Sequence, residues 1–202
     1  MLVLLAAVIS AGCVSYVPPE PVLVREPRPE PVPLRIGVYY SPDFRSFTYR
    51  DHLTDTEWIL GKPSVQLLHE ALTLLFIEVV EMPRPGSGPS LPGDLAGIIE
   101  PRIVSAAVEY PYTNKELQSG VIVQLVHVTY GFTVYSPSGE PVASWNVTGR
   151  GDEPIANLLA AESTVKRNFE NAMRDAAWQL TSGFREIPEV RRWLAGQAGR
   201  KD

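Results

Sequence analysis

The 202-residue chain holds 23 acidic and 18 basic side chains, a net charge of −5, and is 45% apolar. That size and apolar content suit one ordinary domain with an appendage. The acidic balance argues against a nucleic-acid partner, whose phosphates call for clustered Lys and Arg. The single cysteine excludes an internal disulfide and a thiolate metal cluster.

The cysteine directly follows an apolar run. Residues 2–9 resemble the core of a secretory signal, and Ser10-Ala11-Gly12 sets small residues immediately before Cys13. Small side chains let a peptidase reach the backbone, and a thiol is what carries a diacylglycerol thioether. No Lys or Arg precedes the run, so the basic start of such a signal is expected upstream of Met1. Residues 1–12 therefore read as a lipoprotein signal peptide and Cys13 as the lipidation site. Several acyl chains, at about 0.8 kcal/mol per buried CH₂, give stable anchoring.

Seven prolines fall between Pro18 and Pro33. Each fixes φ and removes a donor, which predicts an extended, lipidated tether over 13–33. At about 3.1 Å per residue it would reach roughly 60 Å and hold the domain clear of a bilayer.

The folded domain is expected over 34–195, with 196–202 a polar tail. LRIGVYYS, rich in branched and aromatic residues, predicts a strand that Pro42 stops. A stretch with Phe44, Phe47, Tyr49 and Trp58 follows without clean periodicity and reads as a loop, or a loop with a short strand. Over 63–82, Val65, Leu68, Leu72, Leu75 and Val79 recur at helical spacing, with Pro63 suited to a first turn. A Pro- and Gly-rich connector comes next. LAGIIEPRIVSAAVEY predicts a strand that Pro101 pushes toward a sheet edge.

The next strand alternates cleanly, with Val126, Val128, Tyr130, Phe132 and Val134 on one face and His127, Thr129, Gly131 and Thr133 on the other. SPSGEP is a hairpin turn, after which Ala143, Trp145 and Val147 face inward. A long helix over 157–182, with Asn157 as its cap, carries the stripe Val165, Phe169, Ala172, Met173, Ala176 and Leu180. Pairs Glu162–Lys166 and Glu170–Arg174 support its solvent face, and Gly183 suits its stop. A short helix over EVRRWL ends the series. The order β-α-β-β-β-α implies an α+β two-layer sandwich, with a mainly antiparallel four-stranded sheet and two long helices on one face.

Chemistry-bearing motifs are sparse. His69-Glu70 opens like a zinc-protease motif, but Thr73 stands where the second histidine belongs. His52 and His127 are isolated, there is no nucleophile elbow and no phosphate loop. Arg150-Gly151-Asp152 reads as the turn after the last strand, and Asn146-Val147-Thr148 lies within a strand. No catalytic residue, metal site or cofactor is expected. The dense aromatics after the first strand supply the partner-binding candidates Tyr40, Phe44, Phe47 and Tyr49.

ISAGC, the hairpin VTYGFTVYSPSGEPVASWNVTG and the helix STVKRNFENAMRDAAWQL together resemble the LptE family of outer-membrane lipoproteins. They are also similar to auxiliary lipoproteins of ABC-type transport systems. The resemblance implies Cys13 as the lipidated residue, the periplasmic face of the outer membrane as the location, and a non-enzymatic role. The implied partners are the membrane, through the lipid, and a protein of an envelope transport or export complex. A lipid- or amphiphile-binding carrier is the alternative, and would need an apolar cavity between sheet and helices.

Overall fold

The computed structural model describes residues 16–17, 19–21, 29–51, 55–85, 94–111, 124–154 and 161–198. Cys13 and the expected cap Asn157 lie outside these.

The strands are β1 (Tyr16–Val17), β2 (Val32–Val38), β3 (Thr48–Asp51), β4 (Thr56–Ile59), β5 (Phe76–Glu81), β6 (Leu95–Glu109), β7 (Leu125–Tyr135) and β8 (Pro141–Gly151). The helices are α1 (Pro42–Arg45), α2 (Gly61–Leu75), α3 (Ala161–Gly183) and α4 (Pro188–Ala198), with a 3₁₀ turn at Phe184–Glu186.

The main sheet is five-stranded and mixed, in the order β5-β2-β6-β7-β8, rather than four-stranded and antiparallel. β2 runs parallel to both β5 and β6, while β6, β7 and β8 form an antiparallel meander. A second, three-stranded sheet, β1-β4-β3, lies outside the expected order.

The extra main-sheet strand comes from the end of the expected helix over 63–82. α2 stops at Leu75, and Phe76-Ile77-Glu78-Val79-Val80-Glu81 becomes β5. Aromatic and β-branched side chains favour a pleated surface, and a parallel partner in β2 overrides the helical spacing of Val79. The stretch expected to be a loop, or a loop with one short strand, holds α1 and two strands, β3 and β4.

The meander follows its alternation. Val126, Val128, Tyr130, Phe132 and Val134 are buried, as are Ala143, Trp145 and Val147 of β8. Against them packs the α3 stripe of Val165, Phe169, Ala172, Met173, Ala176 and Leu180, all buried. The helix comes unusually close at two glycines. A Cβ on Gly149 would strike the Ala172 carbonyl and the Ala176 nitrogen, and one on Gly151 would strike the Asn168 carbonyl. Gly151 is thus a buried strand residue needed for close approach, not a turn residue.

Gly183 does not stop α3 in the left-handed region, because at φ −99 it leads straight into the 3₁₀ turn. Pro101 sits inside β6, opposite Phe132. β2 leaves the sheet at Ile99, where the Tyr39 N–H donates to the Ile99 carbonyl at 2.9 Å. From there β6 has a partner on one side only, which is the edge condition proline requires.

Candidate functional site

The described segments that leave the carboxyl ends of β2 and β5 start out on opposite faces. Ile36 and Val38 are buried toward the helices, so Arg35 and Gly37 point to the outer face. The chain leaving β2 enters α1, β3, β4 and α2 on the helix side. The chain leaving β5 turns the other way. A Cβ on Gly37 would lie 2.7 Å from the Met82 side chain, and Asp94, at the far end of that connection, salt-bridges Arg35. Adjacent parallel strands whose connections part to opposite faces open a crevice at their carboxyl ends, the position at which α/β sheets bind ligands.

Two contiguous clefts fill that position. One, of about 500 Å³, is lined by Tyr39, Ser41, Asp43, Arg84, Glu100 and Tyr135 among others. The second, also about 500 Å³, shares Tyr39 and Pro42 with it and extends to Tyr40, Arg45 and Glu81. Both volumes lie within the range of ordinary ligand sites.

Burial, and then a hydrogen bond to the Glu100 carboxylate, push the Tyr135 phenol above its usual range. Tyr40 is shifted further, by burial first and the Glu81 charge second, and its hydroxyl has no hydrogen-bond partner among the described residues. Arg45 pairs with Glu81 and sits 5.4 Å above the Tyr40 ring centre. Carboxylates, guanidinium groups and phenols alternate around the crevice, which suits a polar partner bearing both donors and acceptors.

The four aromatics expected to form a docking patch do not form one. Tyr40 and Phe44 are each 3% exposed and stack at 5.8 Å, where Phe44 anchors α1 to the core. Phe47 and Tyr49 are half-buried. The Tyr49 ring lies 5.8 Å from Phe169, and its hydroxyl accepts the Val108 N–H at 3.2 Å. Trp58 meets the same Phe169 at 5.1 Å. The cluster thus fastens the small sheet to α3 and β6, and aromatic density alone does not tell core from patch. Of the four, only Tyr40 borders the crevice.

Sequence reasoning also missed a buried polar chain at the opposite end of the main sheet. The Asn168 amide donates to Gln124 at 3.2 Å, Gln124 donates to the Tyr110 hydroxyl at 3.2 Å, and Tyr110 donates to Asp51 at 2.8 Å. Asn168 further exchanges hydrogen bonds with the Glu153 backbone at 2.7 and 3.0 Å. These residues come from five separate segments, and no spacing pattern connects them. Their arrangement locks β3, β6, β7, β8 and α3 together. His127 is half-buried on the outer face of β7, beside Ala107 and Arg150. His69 is grouped instead with Tyr40, at a ring distance of 6.4 Å.

Among the described residues no group of three or more His, Cys, Asp and Glu side chains is placed to hold a metal ion, and no helix is long and apolar enough to cross a membrane.

No family model matches the sequence, and no curated protein does. Structures do match. A Xanthomonas campestris protein of the DUF330 family superposes with a TM-score of 0.54 at 12% identity, covering 94% of this chain and 100% of that one. A minor lipoprotein from Acinetobacter baumannii gives 0.47 at 11% identity, over 81% of this chain and 96% of its own. Rare lipoprotein B from Shewanella oneidensis gives 0.44 at 14%, over 78% and 98%. At such identities the likeness concerns the fold. The first comparison defines it: an α+β fold shared with a DUF330 protein along nearly the whole chain. Bacterial lipoproteins are among the structural neighbours.

Proposed function

We propose that the protein is a lipid-anchored, periplasm-facing accessory subunit of an envelope transport or export complex, without catalysis of its own. Acyl chains on Cys13 hold it to the outer membrane. One observation carries this reading: a signal-like segment ending in Ser10-Ala11-Gly12-Cys13 precedes a domain with a fold like that of a DUF330 protein, matched over 94% of the chain. The likeness of the sequence to LptE-type and ABC-auxiliary lipoproteins points the same way.

The docking surface in this reading is the crevice beside Tyr39 and Tyr135, not the aromatic cluster. The carrier alternative is less well supported, because the space between sheet and helices is filled by Leu68, Leu72, Phe169 and Met173, all buried. The crevice is also a poor catalyst. Its Arg45 and Glu81 neutralise each other, and Glu100 is engaged by Tyr135.

A photo-crosslinking residue at Tyr135 in the native envelope tests this. The expected result is one discrete crosslinked complex, absent when the probe sits at Ser138 and absent in Cys13→Ser. Equal crosslinking from both positions would refute docking at the crevice.

A further inference from the structure

We propose that the Pro-rich N-terminal segment is a strap fastened along the domain rather than a spacer. It holds the acyl anchor against the β3–β4 end and makes that end the bilayer-facing surface. This rests on acylation of Cys13, as proposed above.

The strap is attached at three places. Tyr16 and Val17 add a parallel strand to β4, beside Glu57 and Trp58. The Glu20 N–H donates to the Glu170 carboxylate at 3.0 Å, while the Glu20 carboxylate lies 3.6 Å from Lys166. Arg185 donates to the Glu30 carbonyl at 2.9 Å and lies 3.9 Å from its carboxylate. The last two attachments sit near opposite ends of α3, about 25 Å apart at 1.5 Å per residue. The ten residues from Glu20 to Glu30 span about 31 Å as polyproline II, enough to run alongside the helix. Each exposed ion pair is weak, on the order of 0–1 kcal/mol. A proline-rich chain, however, has little conformational freedom to lose on being laid down.

The consequence follows from covalent reach alone. Cys13 precedes Tyr16 by three residues, so its Cα lies within about 11 Å of β1 in any conformation. The chain from Glu20 to Glu30 has the length to pass from the Lys166 end of α3 to Arg185, just before the backbone enters β2. Among the described residues, the β3–β4 end carries no basic patch to attract anionic headgroups. Arg50 is paired with Asp55, and Asp51 and Glu57 are the other charged residues of β3 and β4. Contact with the bilayer there depends on the anchor, not on charge.

The test uses the full acylated chain in phosphatidylethanolamine–phosphatidylglycerol vesicles that carry an acceptor dye on the lipid headgroups. A donor dye is attached through a non-cysteine unnatural residue at Thr48, exposed on β3, or at Ser138, exposed in the hairpin at the other end. Energy transfer from site 48 is expected to exceed that from site 138 at least threefold, at low and high salt alike. Val17→Pro combined with Glu20→Lys should bring the ratio toward one. Equal transfer from both sites, or a ratio unchanged in that variant, with acyl mass intact on Cys13, would overturn the strap. Loss of the acyl mass itself would instead sink the anchor on which it rests.

Discussion

At the scale of single residues, the fold depends on what is missing as much as on what is present. Gly149 and Gly151 let α3 rest on the backbone of β8, and the helix answers with Ala172 and Ala176. Gly149→Ala drives a methyl into the Ala172 carbonyl, which no rotamer change relieves. We expect a loss of about 3 kcal/mol or more by chemical denaturation, at the upper end for overpacking.

The buried Ser64–Tyr130 pair makes an asymmetric prediction. The Ser64 hydroxyl donates to the Leu60 carbonyl at 2.7 Å, so at 2.8 Å Tyr130 must donate to Ser64. Tyr130→Phe removes one hydrogen bond and leaves Ser64 satisfied, at a cost of about 1 kcal/mol. Ser64→Ala orphans a fully buried phenol and costs about 1–3 kcal/mol. The opposite order in denaturation midpoints would refute this donor assignment.

Glu153 carries a pH signature. Hydrogen bonds from Asn171 and then Arg167 hold its carboxyl below the usual glutamate range. Its contribution is therefore complete above the ordinary glutamate value and lost as pH falls through the lower folded value. Acid unfolding of Glu153→Gln should show a lower neutral plateau and a shallower limb in that window, with the two curves converging below it.

At the scale of elements, packing decides what local pattern leaves open. The β7 and β8 strands and the α3 stripe were legible because alternation and a 3.6-residue period report directly on which side is buried. β5 was not, since FIEVVE fits either period and only the parallel partner β2 selects the strand. The small β1-β4-β3 sheet was likewise hidden, because its first strand lies within a stretch whose prolines read as spacer.

That small sheet is joined to the domain in part through Phe169, which touches both Tyr49 and Trp58. Phe169→Ala should cost about 3–5 kcal/mol. It should also raise amide exchange in β3 and β4 more than in β7 and β8. Uniform loss of protection would show that the small sheet is not a separable unit.

At the scale of the whole molecule, sequence and structure reveal different parts of the function. The proposed anchor rests on sequence alone, because lipidation chemistry is read from a short contiguous segment such as Cys13 with its small neighbours. The crevice was not legible in the sequence, because it gathers residues from Tyr39 to Tyr135 through a change in connection direction that no local spacing encodes. The strap joins the two, since it relates an anchor near residue 13 to a crevice at the other end of the sheet.

The most direct measurement is the mass of the mature protein recovered from membrane fractions, expressed with its native upstream region beside Cys13→Ser. The wild type should show an N-terminus at Cys13 carrying acyl mass, and the variant should be unacylated and leave the membrane fraction. An unmodified thiol, or membrane association that persists in Cys13→Ser, would contradict the lipid anchor.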